Sequence, residues 1–484
     1  MNAVAVASEV LVVLDYLVKV VAVGTVPEDR RPGSSHAWLL LILFVPVVGL
    51  PLFLLLGSPY VTGRRHRLQE RANGLIAERA AEVPALPEGQ VAGEHLASLL
   101  ALNRRLTSMP CLLGAHRRLL AQDELVAALT AAVAGARRTV HVEFYIAALD
   151  ATTEPFFDAL REAVARGVRV RFLYDHLGAR KYPGYVRMNE RMSADGVQWH
   201  RMMPIDPLRG RWRRPDLRNH RKLVVVDGEV AFVGSQNLID PTYLLRRHVR
   251  AGRRWVDLNV ELTGAVVQSL EAVFATDWYA ETGEVLDEVA ERVPGATSAS
   301  AGGAFQVVPS GPGFPTEPNL RLFSALVHGA TRSVSIVSPY FVPDEGLEQA
   351  ITTAAYRGVA VELFVSEKAD QFTVHHAQRS YYSSLLRAGV RIHALPAPAV
   401  LHSKVLVVDG DRAVIGSSNM DIRSFNLDYE VSLLGLQPAF VADLVRVVDG
   451  YRERSRELTA EQWALRPFRQ RYLDNVMRLT AALQ

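Results

Sequence analysis

Apolar and polar residues alternate along much of the chain in blocks that are typical of strands and helices. Strands are predicted at 139–147 and 168–174, with helices at 123–136 and 155–166. The same order returns later in the chain, with helices predicted at 320–329 and 346–357 and strands at 333–338 and 359–365. Helices and strands that alternate in this way predict an α/β fold with a largely parallel sheet and covering helices.

Two further apolar runs carry the same polar pattern, H-x-K-x4-D-x6-G-S-x-N. In each copy an apolar strand ends at Asp-Gly and a second apolar strand follows, which predicts a β-hairpin. The repeated residues are His220, Lys222, Asp227, Ser235 and Asn237 in one copy and His402, Lys404, Asp409, Ser417 and Asn419 in the other. Such a repeat predicts two similar halves, each supplying half of one site.

The residue types in this pattern suit phosphoryl transfer without a metal or cofactor. One histidine can attack phosphorus, the other can protonate the leaving oxygen, and the lysines can neutralise phosphate oxygens. A strand that carries His and Lys by chance would explain one copy, but not two with identical spacing. We therefore predict that His220, Lys222, Asp227, His402, Lys404 and Asp409 form the catalytic set and that Ser235, Asn237, Ser417 and Asn419 bind phosphate. Within this set the two aspartates are better suited to bracing their turns than to direct catalysis.

On these residues the chain resembles the phospholipase D superfamily, whose signature is this duplicated motif. Outside the motifs the resemblance narrows to bacterial cardiolipin synthases and extends from about residue 10 to the C-terminus. The stretches that carry it are 141–145, 217–219, 309–312, 338–344 and 421–425. The resemblance implies two α/β/α-sandwich halves that form a pseudo-dimer around a composite site. It also implies a covalent phosphohistidine intermediate.

Residues outside the motifs gain expected roles from the same resemblance. A motif histidine needs a partner that fixes its tautomer, and the superfamily carries a carboxylate where Asp257 and Glu430 stand. The weaker substrate-binding candidates are Arg423, Ser424, Asp370 and His376. The chain departs from the family by reading Leu-Asp-Tyr-Glu before the second carboxylate, where Leu-Asn-x-Glu is common. This departure bears on the choice of acceptor and leaves the motif core unchanged.

Two apolar segments near the N-terminus predict a transmembrane helical hairpin. Residues 37–57 carry no charge and are long enough to span a bilayer. Residues 4–26 are apolar but include three charged residues, of which Asp15 and Lys19 could pair on one helical face. An interfacial helix is the alternative for this first segment. Basic residues after the second segment predict that the main body faces the cytoplasm.

Four segments are predicted along the chain. They are an N-terminal membrane segment (1–62), a helical connector (63–108), a first phospholipase D-like domain (109–293) and a second one with a C-terminal helical tail (304–484), with a Gly-, Ala- and Ser-rich seam at 294–303. The net charge of +3 is too small to indicate a nucleic-acid partner. Basic clusters at 209–222 and 246–254 favour a membrane-facing rim. The single cysteine, Cys111, excludes an intramolecular disulfide and is expected to be a buried apolar residue.

Together these features predict a phosphatidyltransferase in the cell membrane, multi-pass, with its catalytic domains facing the cytoplasm. Its expected substrate is phosphatidylglycerol, two molecules of which would give cardiolipin and glycerol. His220 is chosen as the nucleophile, and His402 as the acid, on the resemblance alone. The alternatives are hydrolysis or transfer to another alcohol, a phosphodiesterase acting on nucleic acid, and a non-catalytic lipid-binding scaffold. The oligomeric state is not predicted.

Overall fold

The computed structural model describes residues 3–28, 32–57, 64–206, 214–290, 302–314 and 316–479. Residues 294–301 of the predicted seam and 207–213 of the first basic cluster lie outside the described residues. The chain divides into two compact units, which we call the N-terminal unit (Met1–His66) and the C-terminal unit (Arg67–Gln484).

The N-terminal unit is helical. Its elements are α1 (Ala3–Thr25), α2 (Pro32–Phe44), α3 (Pro46–Leu52) and a π-helical turn (Phe53–Gly57). A small core of Ala22, Val26 and Ile42 joins α1 to α2. Lys19 pairs with Asp15 at 2.7 Å, which confirms the pairing predicted from their spacing.

The second apolar segment differs from the continuous span that was predicted. The segment 37–57 is divided because Pro46, which has no N–H to donate, begins a new helix after Val45. The helix α1 is long but carries three charged side chains. Within the described ranges, no helix is both long and apolar enough to cross a membrane.

The remaining elements alternate as the hydrophobic pattern predicts. The helices are α4 (Arg64–Ala80), α5 (Glu94–Thr107), α6 (Leu125–Ala134), α7 (Glu154–Ala165), α8 (His176–Arg180), α9 (Tyr185–Ala194), α10 (Arg246–Arg250), α11 (Val266–Thr282), α12 (Asp287–Ala290), α13 (Pro318–His328), α14 (Glu345–Tyr356), α15 (Phe372–Ala388), α16 (Ile422–Asn426), α17 (Pro438–Arg454), α18 (Ala460–Ala464) and α19 (Phe468–Arg478). The strands are β1 (Cys111–Ala121), β2 (Thr139–Phe144), β3 (Arg169–Asp175), β4 (Gln198–Met202), β5 (Arg218–Asn219), β6 (Lys222–Val226), β7 (Val230–Gly234), β8 (Arg254–Val256), β9 (Leu258–Thr263), β10 (Gly303–Ser310), β11 (Ser333–Val337), β12 (Phe341–Val342), β13 (Ala360–Ser366), β14 (Arg391–Leu395), β15 (Ala399–Leu401), β16 (Val405–Val408), β17 (Arg412–Gly416), β18 (Met420–Asp421), β19 (Asp428–Gly435) and β20 (Arg456–Leu458).

The strands of the C-terminal unit form two mixed sheets that join at β1. The order is β4-β3-β2-β6-β7-β9-β1 in the first half and β10-β19-β17-β16-β11-β13-β14-β20 in the second. Residues 111–114 of β1 pair with β10, and residues 115–121 pair with β9. Within these sheets β2-β3-β4 and β11-β13-β14 are parallel, and the other pairs are antiparallel. The prediction of a largely parallel sheet was therefore wrong, because each motif hairpin adds antiparallel strands.

Helices cover both faces of these sheets. In the first half α6, α7 and α9 bury Leu129, Phe156 and Met188 against one face. In the second half α5, α13, α14 and α15 cover the equivalent face, so the predicted connector helix α5 packs into this core. The opposite faces of both sheets share a single core with α11 and α17, which contribute Phe274 and Phe440. Because they share this core, the two halves form one body.

Each Asp-Gly turn is held by its own aspartate. Asp227 accepts hydrogen bonds from the three backbone N–H groups of residues 137–139, at 2.9, 2.7 and 2.9 Å. Asp409 accepts three from residues 331–333, at 2.9, 2.7 and 2.9 Å. Each aspartate lies at the far end of its strand, seven residues from the motif histidine, which is roughly 20 Å along an extended chain. This placement corrects the inclusion of Asp227 and Asp409 among the catalytic residues and supports the bracing role.

The substitution Asp409→Asn tests that role. Asparagine tolerates the left-handed backbone conformation of Asp409, where φ is 53°, but one of its two side-chain oxygens is replaced by a donor. We expect a loss of about 1–3 kcal/mol in the free energy of unfolding, because a backbone donor loses its acceptor. Thermal unfolding should show a lower midpoint, while turnover per folded molecule stays unchanged. The neighbouring exposed Asp411→Asn is the matched control, and lost turnover at full stability would restore a catalytic role for Asp409.

Candidate active site

Two short parallel strand pairs carry each motif histidine into the opposite half. β5, which directly precedes His220, pairs with the start of β19, and the backbone N–H of His220 donates to the carbonyl of Tyr429 at 2.8 Å. β15, which directly precedes His402, pairs with β8, and the N–H of His402 donates to the carbonyl of Val256 at 2.9 Å. We call these segments, β5 with His220 and β15 with His402, the histidine arms. Because the arms cross between the halves, one site receives both histidines.

Each arm ends against a buried carboxylate from the other half. His220 Nδ1 lies 2.9 Å from Glu430 Oε1, and His402 Nδ1 lies 2.6 Å from Asp257 Oδ1. An ionised carboxylate can only accept, so it holds the proton on Nδ1 and leaves Nε2 for chemistry. Asp257 and Glu430 therefore stand where an orienting role requires them. Their crossed pairing had no counterpart in the sequence analysis.

The motif serines contact these carboxylates. Ser235 Oγ donates to Asp257 Oδ1 at 2.6 Å, and Ser417 Oγ donates to Glu430. Both serine side chains are fully buried. Their hydroxyl protons are thus already engaged in holding the carboxylates, which differs from the phosphate-binding role predicted for them.

The glycine before each serine permits this arrangement. A Cβ atom at Gly234 would lie 2.4 Å from the carbonyl oxygen of Leu258, and one at Gly416 would lie 2.3 Å from that of Val431. Any side chain would push the hairpin away from the neighbouring strand, which is β9 after Asp257 and β19 around Glu430. The glycine of the motif therefore lets the hairpin lie close to the neighbouring strand, where the following serine reaches the carboxylate.

The motif asparagines are also engaged by the protein. Asn237 Oδ1 accepts from the backbone N–H of Ile146 at 3.1 Å, and its Nδ2 donates to the Tyr243 hydroxyl at 2.8 Å. Asn419 Nδ2 donates to Ser424 Oγ at 3.3 Å. Each amide nitrogen carries a second proton. The phosphate-binding role of the two asparagines stays a prediction.

The two lysines are buried beside their histidines. Lys222 Nζ donates to the carbonyl of His220 at 2.5 Å, and Lys404 Nζ donates to that of His402 at 2.6 Å. Burial lowers the pKa of Lys222 to about 7 and that of Lys404 to about 8, although nearby carboxylates oppose the shift. Each ammonium keeps two further protons for an anion. A bound phosphate would favour the charged form of both lysines.

The two histidines face different charges. Burial and the nearby lysines lower the pKa of His220 well below its ordinary value, and they lower that of His402 against the opposing charge of Asp257. Burial alone would raise the pKa of Asp257, but His402 and a lysine hold it below its usual range. Burial raises the pKa of Glu430 to about 7. His402 therefore faces a fixed negative charge that stabilises its cation, whereas the partner of His220 is partly protonated near neutral pH.

Two of the weaker candidates lie beside the second motif. Arg423 Nε donates to Asp428 Oδ2 at 3.2 Å, and Ser424 Oγ accepts the hydrogen bond from Asn419. Burial raises the pKa of Asp428 to about 8, against the charge of Arg423. This aspartate occupies the position where the family commonly has asparagine. Arg423 and Ser424 are therefore near the site, and their contact with substrate stays a prediction.

The other two weaker candidates, Asp370 and His376, have different surroundings. Asp370 accepts from the Tyr340 hydroxyl at 2.7 Å, and its charge is among those that oppose the lowering of the Lys404 pKa, so it borders the site. His376 Nδ1 instead lies 2.7 Å from Asp474 in α19. Its side chain thus fixes the C-terminal helix, and a role in substrate binding has no further support in the geometry.

Tyr145 is a site residue that the sequence analysis did not single out. Its ring meets the His220 ring edge-on, with centroids 4.9 Å apart, and Lys222 Nζ lies 5.4 Å from its centre. Tyr145 directly follows β2, which pairs with β6 in the sheet. The available signal was its place in the stretch 141–145, at the end of a strand next to the motif strand.

Two arginines in the basic cluster at 209–222 are buried and do not form a membrane-facing rim. Arg218 pairs with Asp175 at 3.2 Å, and Arg221 pairs with Asp277. All four side chains are less than 4% exposed. These ion pairs anchor the first histidine arm, so the prediction of a rim was wrong for these two residues.

Comparison with known proteins gives matches over almost the whole chain. A family model described as "Cardiolipin synthase, PLD-like domain" matches residues 129–278 and 323–450. A second model, "Phospholipase_D-nuclease N-terminal", matches residues 16–58. The two segments of the first model each contain one copy of the repeated motif.

Two curated relatives align over most of this chain and over most of their own length. The chain is 34% identical to a cardiolipin synthase of Geobacillus kaustophilus over 462 residues, which cover 94% of this chain and 90% of that protein. It is 32% identical to cardiolipin synthase A of Yersinia pseudotuberculosis over 461 residues, which cover 93% of this chain and 92% of that protein.

A solved structure supports the fold. Phosphatidylserine synthase of Haemophilus influenzae superposes with a TM-score of 0.59 at 15% identity, covering 81% of this chain and 100% of that one. This similarity shows a mixed α/β, phospholipase D-like fold with two halves. Given the family match and the full-length relatives, the chain belongs to the cardiolipin synthase family of phospholipase D-like proteins.

Proposed function

We propose that the chain transfers a phosphatidyl group from one phosphatidylglycerol to another, forming cardiolipin and glycerol through a phosphohistidine. Membership of the family supplies the reaction class, a phosphatidyltransferase that acts on phospholipid and forms cardiolipin. The crossed histidine–carboxylate pairs are the observation that supports the mechanism best. They engage the Nδ1 atoms of His220 and His402, so that in this proposal the Nε2 atoms act on phosphorus.

In the first half-reaction His220 Nε2 attacks the phosphorus of the donor. The bond from phosphorus to the glycerol oxygen breaks, and His402 gives its Nε2 proton to that oxygen. Burial lowers the pKa of both histidines, and the larger shift at His220 supports a neutral imidazole as the nucleophile. The fixed charge of Asp257 opposes the shift at His402, which supports His402 as the acid.

In the second half-reaction an acceptor hydroxyl attacks the phosphohistidine. His402 now takes the proton from this hydroxyl, the N–P bond breaks, and neutral His220 is restored. Lys222 and Lys404 hold the non-bridging phosphoryl oxygens through both steps. In this proposal Asn237 and Asn419 assist with their remaining N–H groups, and the motif serines keep the carboxylates in position.

We also propose that the N-terminal unit attaches the enzyme to the cell membrane. Its helices expose large apolar side chains, among them Val20, Phe44 and Val47 at 70%, 79% and 85%. An exposed apolar surface of this kind needs a lipid or protein partner. The segments 4–26 and 37–57 would then contact lipid as a multi-pass hairpin, and the basic residues that follow would place the two catalytic domains on the cytoplasmic side.

Product analysis tests the assigned reaction. Purified full-length protein is given vesicles of phosphatidylglycerol, first alone and then with competing alcohols, and the lipids are measured by mass spectrometry. We expect cardiolipin and free glycerol in equal amounts, because one of each forms per transfer. Phosphatidic acid alone would make water the acceptor and would contradict the synthase. A different phosphatidyl alcohol as the main product would show that the enzyme uses another acceptor.

Donor lipids with different leaving groups separate the roles of the histidines. A p-nitrophenyl ester of phosphatidic acid needs no proton on its leaving group. We expect His402→Ala to lose roughly 10²–10⁴-fold in cardiolipin formation, yet to release a burst of nitrophenol and keep a phosphohistidine at His220. His220→Ala should give neither burst nor adduct. The opposite pattern would exchange the roles, and no adduct in either variant would favour the non-catalytic scaffold.

The crossed carboxylates give an independent prediction. Asp257→Asn removes the charge that stabilises the His402 cation, so we expect cardiolipin formation to fall by roughly 10²–10⁴-fold while the nitrophenol burst persists. Glu430→Gln should slow the burst itself, because it disturbs His220. The exposed Asp123→Asn serves as the carboxylate control. If each substitution affected the step of the histidine in its own half, the crossed assignment would be wrong.

A further inference from the structure

The C-terminal helix α19 is fixed in one orientation by a buried carboxylate. Asp474 is 1% exposed and lies 2.7 Å from His376 Nδ1, 3.3 Å from Arg379 Nε and 2.8 Å from Arg466 Nη1. A buried charge is tolerated when it is paired in this way. The face of α19 that carries Asp474 is therefore held against α15 and against Arg466, which lies between α18 and α19, and the orientation of the opposite face follows.

That opposite face is apolar and exposed. Phe468, Tyr472 and Leu479 are spaced by four and seven residues and so lie on one side of the helix. They are 72%, 61% and 84% exposed, and Leu465, just before the helix, is 84% exposed. We call these four side chains the apolar stripe. A stripe of this length on one helix is more than the scattered exposed apolar residues of an ordinary surface.

Basic residues border the apolar stripe. At 100° per residue, Arg469 and Arg471 fall on its two sides. Both are exposed, and no ion pair joins either guanidinium to an acidic residue in the part of the chain that the structure describes. An apolar aromatic stripe between cations matches the chemistry of an anionic lipid interface.

The face of α19 that carries Asp474 is linked through α15 to the edge of the active site. Phe372 is 63% exposed, and its ring lies 4.5 Å from that of His376, which contacts α19 through Asp474. Phe372 is two residues from Asp370, which borders the site.

We propose that the apolar stripe, with Arg469 and Arg471, docks the C-terminal unit on an anionic phospholipid surface. This contact is additional to the attachment proposed for the N-terminal unit. The aromatic rings would lie at the level of the headgroups, and the arginines would pair with phosphate. The proposal rests on exposure and charge and does not depend on the reaction assigned to the site.

Site-specific fluorescence in the full-length chain tests this contact. The single native cysteine, Cys111, is buried, so Phe468→Cys and Leu479→Cys can each carry one environment-sensitive fluorophore. Tyr356→Cys on α14, where the tyrosine is 71% exposed, is the matched control. All three variants also carry His402→Ala to prevent turnover, and they are reconstituted in phosphatidylglycerol vesicles with brominated acyl chains. We expect a blue shift and strong quenching at positions 468 and 479 and neither at 356.

The contribution of charge is tested with the same fluorophores. The double substitution Arg469→Gln and Arg471→Gln should weaken docking on phosphatidylglycerol vesicles roughly tenfold. High salt should also reduce the quenching, and so should replacing phosphatidylglycerol with phosphatidylcholine. Absent quenching at 468 and 479, or equal quenching at 356, would overturn the proposal. So would a shift at 468 that depends on protein concentration without lipid, which would assign the stripe to a second copy of the chain. Because these variants do not turn over, failure of the cardiolipin assay would leave this result unchanged.

Discussion

The active site depends on two short strand pairs. In each of them a segment of one half pairs with a strand of the other half. β5 lies on β19 and β15 lies on β8, so each histidine reaches a carboxylate of the other half. Neither half alone could pair its own histidine in this way. The ion pairs of Arg218 and Arg221 hold the first histidine arm in place. The two motif glycines allow each hairpin to lie close to the neighbouring strand. In the proposed mechanism, catalysis would therefore require an intact interface between the halves.

Burial has opposite consequences for the charged groups of the site. It lowers the pKa of Lys222 and Lys404 to about 7 and about 8, and it raises the pKa of Glu430 to about 7. A phosphodiester anion would favour the charged form of both lysines, since opposite charges favour each other's ionised forms at low dielectric. In the proposed reaction the site would thus gain positive charge as it binds its substrate. In bulk water this coupling between anion and lysines would be weak, because the high dielectric constant screens their charges.

Local patterns in the sequence predicted much of the fold, but contacts between segments that are distant in sequence could not be predicted. The motif hairpins followed from Asp-Gly between apolar runs, and both turns have positive φ at Asp and Gly. The two histidine arms could not be predicted, because strands of two or three residues are too short to show a period. The roles of Ser235 and Ser417 also depend on which carboxylate crosses to meet them. The predicted second membrane span was interrupted at Pro46, whose local effect outweighed the apolar composition.

A single chain with two halves can give its two motif histidines different surroundings. In a symmetric dimer both histidines would face the same type of carboxylate. Here one partner is Asp257, held ionised by His402 and a lysine, and the other is Glu430, whose pKa rises to about 7. Burial lowers the pKa of both histidines, and the charge of Asp257 opposes this shift at His402. Fusion of the halves therefore makes the two histidines unequal, as the proposed division into nucleophile and acid would require.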